Sequence, residues 1–185
     1  MRIISGKYRG RIIQTPKGLP VRPTTDFART GLFSILRGRY TFEELKCLDL
    51  FSGTGSISLE MASEGCTEIT AVDENDKCTL HLRKTVNLLE ETGIHVIRSE
   101  VQFYLKKCLD TFDLIFADPP FDTANKDAIW KIICERNLLK SNGIFILEHQ
   151  SRESYSEIRG FSEVRKYGNV AFSFFANFGS EIIEP

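Results

Sequence analysis

Hydrophobic and polar positions along this chain fall into short blocks, and each change of spacing predicts an element. Residues 46 to 51, Lys-Cys-Leu-Asp-Leu-Phe, form the compact apolar run of a buried strand, and Ser-Ile-Ser-Leu-Glu-Met-Ala-Ser-Glu-Gly follows with helical spacing and a glycine stop. Glu-Ile-Thr-Ala-Val-Asp (68 to 73) reads as a second strand, residues 74 to 93 as a longer helix ending at Gly93, and Ile-His-Val-Ile-Arg-Ser as a third strand. Residues 101 to 109 read as a helix, Phe-Asp-Leu-Ile-Phe-Ala-Asp (112 to 118) as the fourth strand, 126 to 139 as a helix and 143 to 150 as the fifth strand. Strands alternating with helices require crossover connections, which build a parallel sheet with helices on both faces. The tail differs. Residues 162 to 177 are two β-rich runs about a Gly-Asn turn, which predicts an antiparallel hairpin at the edge of the sheet.

Ahead of this alternation, residues 2 to 15 contain two β-branched runs around Ser-Gly-Lys-Tyr-Arg-Gly and predict a hairpin. Residues 16 to 23 hold three prolines and form a connector. Thr-Thr-Asp-Phe-Ala-Arg-Thr-Gly-Leu-Phe-Ser-Ile-Leu-Arg-Gly then gives an amphipathic helix, with threonine at the N-cap, Gly38 as the stop, and Phe27, Ala28, Leu32, Phe33, Ile35 and Leu36 as its apolar positions. The organisation expected is a basic N-terminal β-hairpin arm and connector over residues 1–20, followed by one α/β domain over 21–185.

Charge sharpens that division. The formal net charge is −1, yet residues 1 to 40 carry nine Lys or Arg and one acid, against fifteen basic and twenty-four acidic residues in the rest. Such a sign change along a chain points to a basic arm for a polyanion, with Arg2, Lys7, Arg9 and Arg11 as phosphate contacts. The competing reading is a leader that packs on an acidic body. Five scattered cysteines form no C-x-x-C and read as reduced thiols filling apolar space, which suits the cytoplasm. The three histidines lack ligand spacing, so no metal site is expected. No apolar run approaches the ~20 residues of a membrane span, and the first residues lack the apolar core of a signal peptide.

Candidate chemistry sits at the strand ends, where open α/β sheets bind ligands. Asp-Leu-Phe-Ser-Gly-Thr-Gly-Ser (49 to 56) is a loop whose Gly53 and Gly55 let backbone approach a ligand. The dinucleotide pattern G-x-G-x-x-G wants glycine at 58, where Ser58 stands. Asp49 would repel a pyrophosphate and attract an ammonium group. Asp73 ends the second strand, where an acid accepts from ribose hydroxyls, and Glu100 follows the third, where it could accept from an adenine amine. The fourth strand runs into Asp-Pro-Pro-Phe (118 to 121). Prolines fix φ and stiffen the chain, aiming Asp118, the Pro119 carbonyl and the Phe121 ring in set directions. Two acceptors facing the N–H groups of an exocyclic amine favour the pyramidal nitrogen that bears a lone pair, and an aromatic face stacks an extruded base.

These residues resemble the class I S-adenosylmethionine-dependent methyltransferases that act on exocyclic amines, whose hallmark is [D/N]-P-P-[F/Y/W]. The blocks R-I-I-S-G-K-Y-R-G-R-I-I, V-R-P-T-T-D-F-A-R-T-G-L-F-S-I-L, L-D-L-F-S-G-T-G-S and D-L-I-F-A-D-P-P-F are similar, in the same order, to the RsmD family, which methylates the N2 amine of a guanine in 16S ribosomal RNA. The resemblance implies a Rossmann-like class I methyltransferase fold, with a mostly parallel seven-stranded sheet and an antiparallel last strand. It implies S-adenosylmethionine as cofactor, with S-adenosylhomocysteine as product, and 16S RNA in the small ribosomal subunit or an assembly intermediate as partner of a cytoplasmic monomer. It places Arg22, Thr24 and Thr25 near the methionine end of the cofactor, and Asp49, Phe51, Gly53 and Gly55 in the loop beneath it. Asp73 falls to the ribose, Glu100 to the adenine, and Asp118, Pro119 and Phe121 to the guanine. Arg29-Thr30-Gly31-Leu32-Phe33 departs from the usual R-E-A-L-F, and a glycine inside a helix costs ~1 kcal/mol. Adenine N6 or protein glutamine as acceptor, and a methyltransferase-like fold serving only to bind RNA, remain alternatives.

Overall fold

The computed structural model describes residues 1–15, 24–120 and 127–176, so Arg22 and Phe121 lie outside the described residues. Seven strands form one sheet in the order β3-β2-β1-β4-β5-β7-β6, made of β1 (Lys46–Leu50), β2 (Glu68–Asp73), β3 (Ile94–Arg98), β4 (Phe112–Ala117), β5 (Leu139–Gln150), β6 (Phe161–Tyr167) and β7 (Val170–Ala176). The first five run parallel, and β7 is antiparallel to both β5 and β6. The helices are α1 (Asp26–Arg37), α2 (Ser56–Ser63), α3 (Asp76–Leu88), α4 (Val101–Lys107) and α5 (Asp127–Glu135). Apolar side chains of α1, α2 and α3 cover one face of the sheet, and those of α4 and α5 cover the other. Central strands buried on both faces need near-continuous apolar sequence, which is how β1 and β4 read. Among the described residues no helix is long and apolar enough to cross a membrane.

Across the α/β domain the predicted elements are present, with four differences. The third helix stops at Leu88 rather than near Gly93, because Glu90 takes φ 54° and the Glu91 amide bonds back to the Val86 carbonyl at 3.0 Å. That is a Schellman closure, with glutamate where glycine is usual. The fifth strand begins at Leu139, four residues early, across a register irregularity opposite Phe112 and Leu114. On α1 the expected apolar Phe27 is 69% exposed while Arg29 is 1% exposed. Cysteines 47, 66, 78 and 108 are buried free thiols as expected, but Cys134 is exposed.

Residues 1–15 fold back on themselves around a 3-10 turn (Gly6–Tyr8), with one antiparallel bridge between Arg2 and Ile12. Ile3 and Ile13 are buried in the same apolar cluster as Leu32, Phe33 and Leu36 of α1. Polar contacts add to this packing. The Ile4 amide donates to Glu60 at 2.8 Å, the Tyr8 amide to Ser63 Oγ at 2.9 Å, and Lys7 pairs with Glu91 at 2.7 Å. The expected β-hairpin is reduced to the single bridge between Arg2 and Ile12, without a strand among residues 1–15, and the folded-back segment is seated against α2.

Candidate active site

The carboxyl ends of β1, β2 and β4 lie side by side at the centre of the sheet and open onto one cavity of about 610 Å³. Directly after β1 the chain turns sharply: Phe51 takes φ 60°, Gly53 φ 54° and Gly55 φ 82°. A positive φ at phenylalanine is strained and persists where surrounding structure enforces it. Here the Ser52 amide is held by the Val72 carbonyl at 3.0 Å and the Gly53 amide by Asp73 Oδ2 at 2.8 Å. Phe51, Ser52 and Gly53 line the cavity. Gly55 works from behind as the N-cap of α2, where an added Cβ would lie 2.2 Å from Leu82 Cδ1.

Three predicted carboxylates face the cavity from these strand ends. Asp49 is 1% exposed, and its Oδ2 accepts from both the Ser58 amide (3.0 Å) and the Ser58 hydroxyl (2.5 Å). Burial pushes its carboxyl up to about 7, against the pull of those two bonds. Asp73 accepts from the Gly53 amide through Oδ2 and from the Asn75 amide through Oδ1, both at 2.8 Å. Each oxygen keeps a second lone pair for a ligand donor. Asp118 follows β4, and its amide donates to the Leu50 carbonyl at 3.3 Å, tying the proline turn to the end of β1. Pro119 is buried, and both prolines line the cavity.

The remaining candidates divide. Thr24 and Thr25 reach the cavity from the start of α1, where Thr25 Oγ1 caps the helix by accepting from the Ala28 amide at 3.2 Å. Glu100 also lines the cavity, and its carboxylate caps α4 by accepting from the Gln102 (2.9 Å) and Phe103 (2.7 Å) amides. Arg2, Lys7, Arg9 and Arg11 belong to the N-terminal segment, and none of them lines the cavity. Sequence reasoning missed Glu148, which is 4% exposed near the end of β5, lines the cavity and accepts from Thr24 Oγ1 at 2.7 Å. Applying the strand-end rule to the fifth strand, as to the other four, would have found it. Ser52 was missed too. Its hydroxyl is buried at the cavity wall without a hydrogen-bond partner among the described residues.

These features fit an adenosyl sulfonium cofactor. Asp73 has lone pairs that vicinal hydroxyls could use, the glycine loop admits close approach of backbone, Asp49 could meet a cationic tail, and the Ser52 hydroxyl has no partner among the described residues. The volume lies within the ~300–1,000 Å³ of small-molecule sites. The fold and the relatives of this chain identify a class I S-adenosylmethionine-dependent methyltransferase, and a solved structure of the Thermus thermophilus 16S rRNA N2 G1207 methyltransferase with AdoMet and guanosine shares the fold. That likeness has a TM-score of 0.68 at 23% identity, covering 86% of this chain and 45% of that one.

The family described as conserved hypothetical protein 95 matches residues 1–176, and the chain belongs to it, the RsmD family. The chain is 32% identical over 151 residues to ribosomal RNA small subunit methyltransferase D of Buchnera aphidicola subsp. Baizongia pistaciae, covering 82% of this chain and 76% of that protein. It superposes on a hypothetical protein of Thermus thermophilus with a TM-score of 0.83 at 28% identity, covering 96% and 99% of the two chains.

Proposed function

We propose that this protein transfers a methyl group from S-adenosylmethionine to the exocyclic N2 amine of a guanine in small-subunit ribosomal RNA. The observation that carries the reading is the meeting of the Asp118-Pro119-Pro120 turn with Asp49, Asp73 and the glycine loop in one cavity, in a chain of the RsmD family. When bound, the cofactor supplies an electrophilic methyl group on a sulfonium.

The chain's own residues bind and align. Asp73 holds the ribose hydroxyls, Asp49 the cationic tail, and Glu100 the adenine edge through lone pairs left over from capping α4. Thr24 and Thr25, with Arg22 just before them, border the methionine end. Asp118 and the Pro119 carbonyl accept the two N–H bonds of the amine and hold its lone pair toward the methyl group, and Phe121 stacks the base. The Asp118 amide bond to Leu50 and the two prolines restrict this turn before substrate arrives, so little ordering cost remains. Arg2, Arg9 and Arg11 of the arm meet phosphates, whereas Lys7, expected to do the same, is held by Glu91. We read the protein as a monomer that meets a ribosomal substrate in the cytoplasm, in the small subunit or an assembly intermediate of it.

The test is methyl transfer from radiolabelled S-adenosylmethionine to small-subunit RNA, small subunits, DNA and protein, with mass mapping of the product. Label on guanine N2 of the RNA is expected. Label on adenine N6 or on glutamine alone would overturn the reading.

A further inference from the structure

We propose that Phe27 and Tyr167 form a stacking platform at the rim of the cavity for a nucleobase of the RNA flanking the target guanine. This deepens, and rests on, the methyl-transfer reading above. Phe27 is 69% exposed in the first turn of α1, while Ala28, Leu32, Phe33 and Leu36 of the same helix are buried. Its ring meets that of Tyr167 edge to face, with centroids 5.6 Å apart and planes at 78°. Tyr167 in turn packs on Phe172 at 5.8 Å, and Phe172 is fully buried. The exposed ring is therefore braced by a second ring that is anchored in the core.

Gly31 is what allows this. A Cβ there would lie 2.1 Å from Tyr167 Cε1. The departure from the usual family residue is thus a recess cut into α1 to seat the tyrosine. Glycine costs helix stability, and the recess it leaves lets a half-buried tyrosine brace the exposed Phe27.

Two independent elements place this pair beside the site. Phe27 follows Thr24 and Thr25, and Tyr167 pairs across the β6–β7 turn with Val170; Thr24, Thr25 and Val170 all line the cavity. On α1 the exposed Asp26 and Thr30 flank Phe27, and Asp26 is paired with Arg29. Two rings in such a setting fall far short of the roughly 1,000 Å² of a specific protein interface. They match the π-face of a base, which stacks on aromatic side chains without regard to sequence.

The experiment compares wild type, Phe27→Ala and Phe27→Trp in methyl transfer to small-subunit RNA. Calorimetry with S-adenosylmethionine, thermal melting and light scattering complete each comparison. Phe27→Ala is expected to raise KM for RNA about tenfold, within the range for one stacked base, with kcat, cofactor affinity, melting temperature and mass unchanged. Phe27→Trp should bring KM back. If wild type is active and Phe27→Ala leaves KM within about twofold, the platform is overturned and the methyl-transfer reading stands. A parallel loss of cofactor affinity, of melting temperature or of a dimer present in wild type would assign Phe27 a structural role instead and overturn the platform. A wild-type protein that methylates no RNA would overturn the functional reading, and the platform with it.

Discussion

The two ends of α2 are buried alike and used differently. At its N-terminal end the polar groups are held in place and left facing a cavity. Asp49 is fixed by Ser58, Asp73 by the Gly53 amide, and the Ser52 hydroxyl has no partner among the described residues. At its C-terminal end the polar groups are met by the chain's own segments, although Glu60 Oε2 there also lacks a hydrogen-bond partner among the described residues. Glu60 takes the Ile4 amide, Ser63 Oγ accepts from the Tyr8 amide and donates to the Ser5 carbonyl, and Glu64 takes the Ser5 hydroxyl and Arg37. A polar cluster that closes on its own chain is a seat, and one that keeps acceptors aimed at a void is a site. Residue types alone do not distinguish them.

The largest effect should come from breaking the seat. The Arg29 guanidinium reaches the Arg2 carbonyl at 2.7 Å, Asp26 at 2.8 Å and Glu60 at 3.2 Å, and burial already pushes the Glu60 carboxyl up. Arg29→Ala leaves Glu60 buried without its cation, a change that costs about 3–5 kcal/mol. Urea unfolding should show that loss while the folded protein still binds S-adenosylmethionine. A loss below about 1 kcal/mol would show that the seat tolerates the unpaired acid.

Next in size is the chemical half of the site. Asp118→Ala removes an acceptor that matters most in the transition state, so methyl transfer should fall about a hundredfold or more, as when one preorganised partner is deleted elsewhere. Cofactor affinity by calorimetry should stay within about twofold. Activity within threefold of wild type would exclude Asp118 from catalysis and move the burden to Pro119 and Phe121.

A smaller effect separates the carboxylates by pH. Burial holds the Asp49 carboxyl at about 7 in the folded protein, up from 3.8. The folded chain therefore keeps a proton that the unfolded chain releases, so this group's stabilising contribution is full below about pH 4 and is lost as pH rises through about 7. Binding of a cationic tail favours the carboxylate, so cofactor affinity should rise with pH across the same range, by at most about tenfold per unit. Calorimetry at about pH 6 and about pH 8 should show the increase in wild type and none in Asp49→Asn. Equal slopes would remove Asp49 from the cationic tail.

The sheet was legible because its strands obey a local rule, apolar runs alternating with helical spacing. The strand-end rule then singled out Asp49, Asp73 and Asp118 from sequence alone. What stayed hidden depends on partners distant in sequence. Glu148 is tied to Thr24, 124 residues away. Arg29 disappears into the interior because Arg2 and Glu60 converge on it, which no periodicity of apolar residues encodes. Gly31 read as a weakness until Tyr167, from the far end of the chain, was found lying on it. The Glu90 turn escaped because a left-handed residue other than glycine carries no local mark.

The smallest expected effect tests whether the seated segment also grips RNA. Its four cations are not equivalent. Lys7 is committed to Glu91 at 2.7 Å and lies 4.9 Å from the Tyr8 ring centroid. Arg9 and Arg11 are exposed and make no ion pair among the described residues, although the Arg11 guanidinium sits 5.4 Å from the same ring centroid. A phosphate contact adds up to ~0.9 to the slope of log affinity against log salt per charge neutralised, less on single strands, and it positions the RNA without reading its bases. Arg9→Ala and Arg11→Ala should each weaken RNA binding a fewfold, about equally across RNA sequences, and lower the salt slope by up to about 1. Lys7→Ala should barely move the slope and should instead lower stability, because it strips Glu91 of its cation. Binding at several salt concentrations, with melting curves on the same variants, checks both halves. If Lys7→Ala changes the slope as much as Arg9→Ala, the Lys7–Glu91 pair opens to meet RNA, and this face of the seat belongs to the site as well.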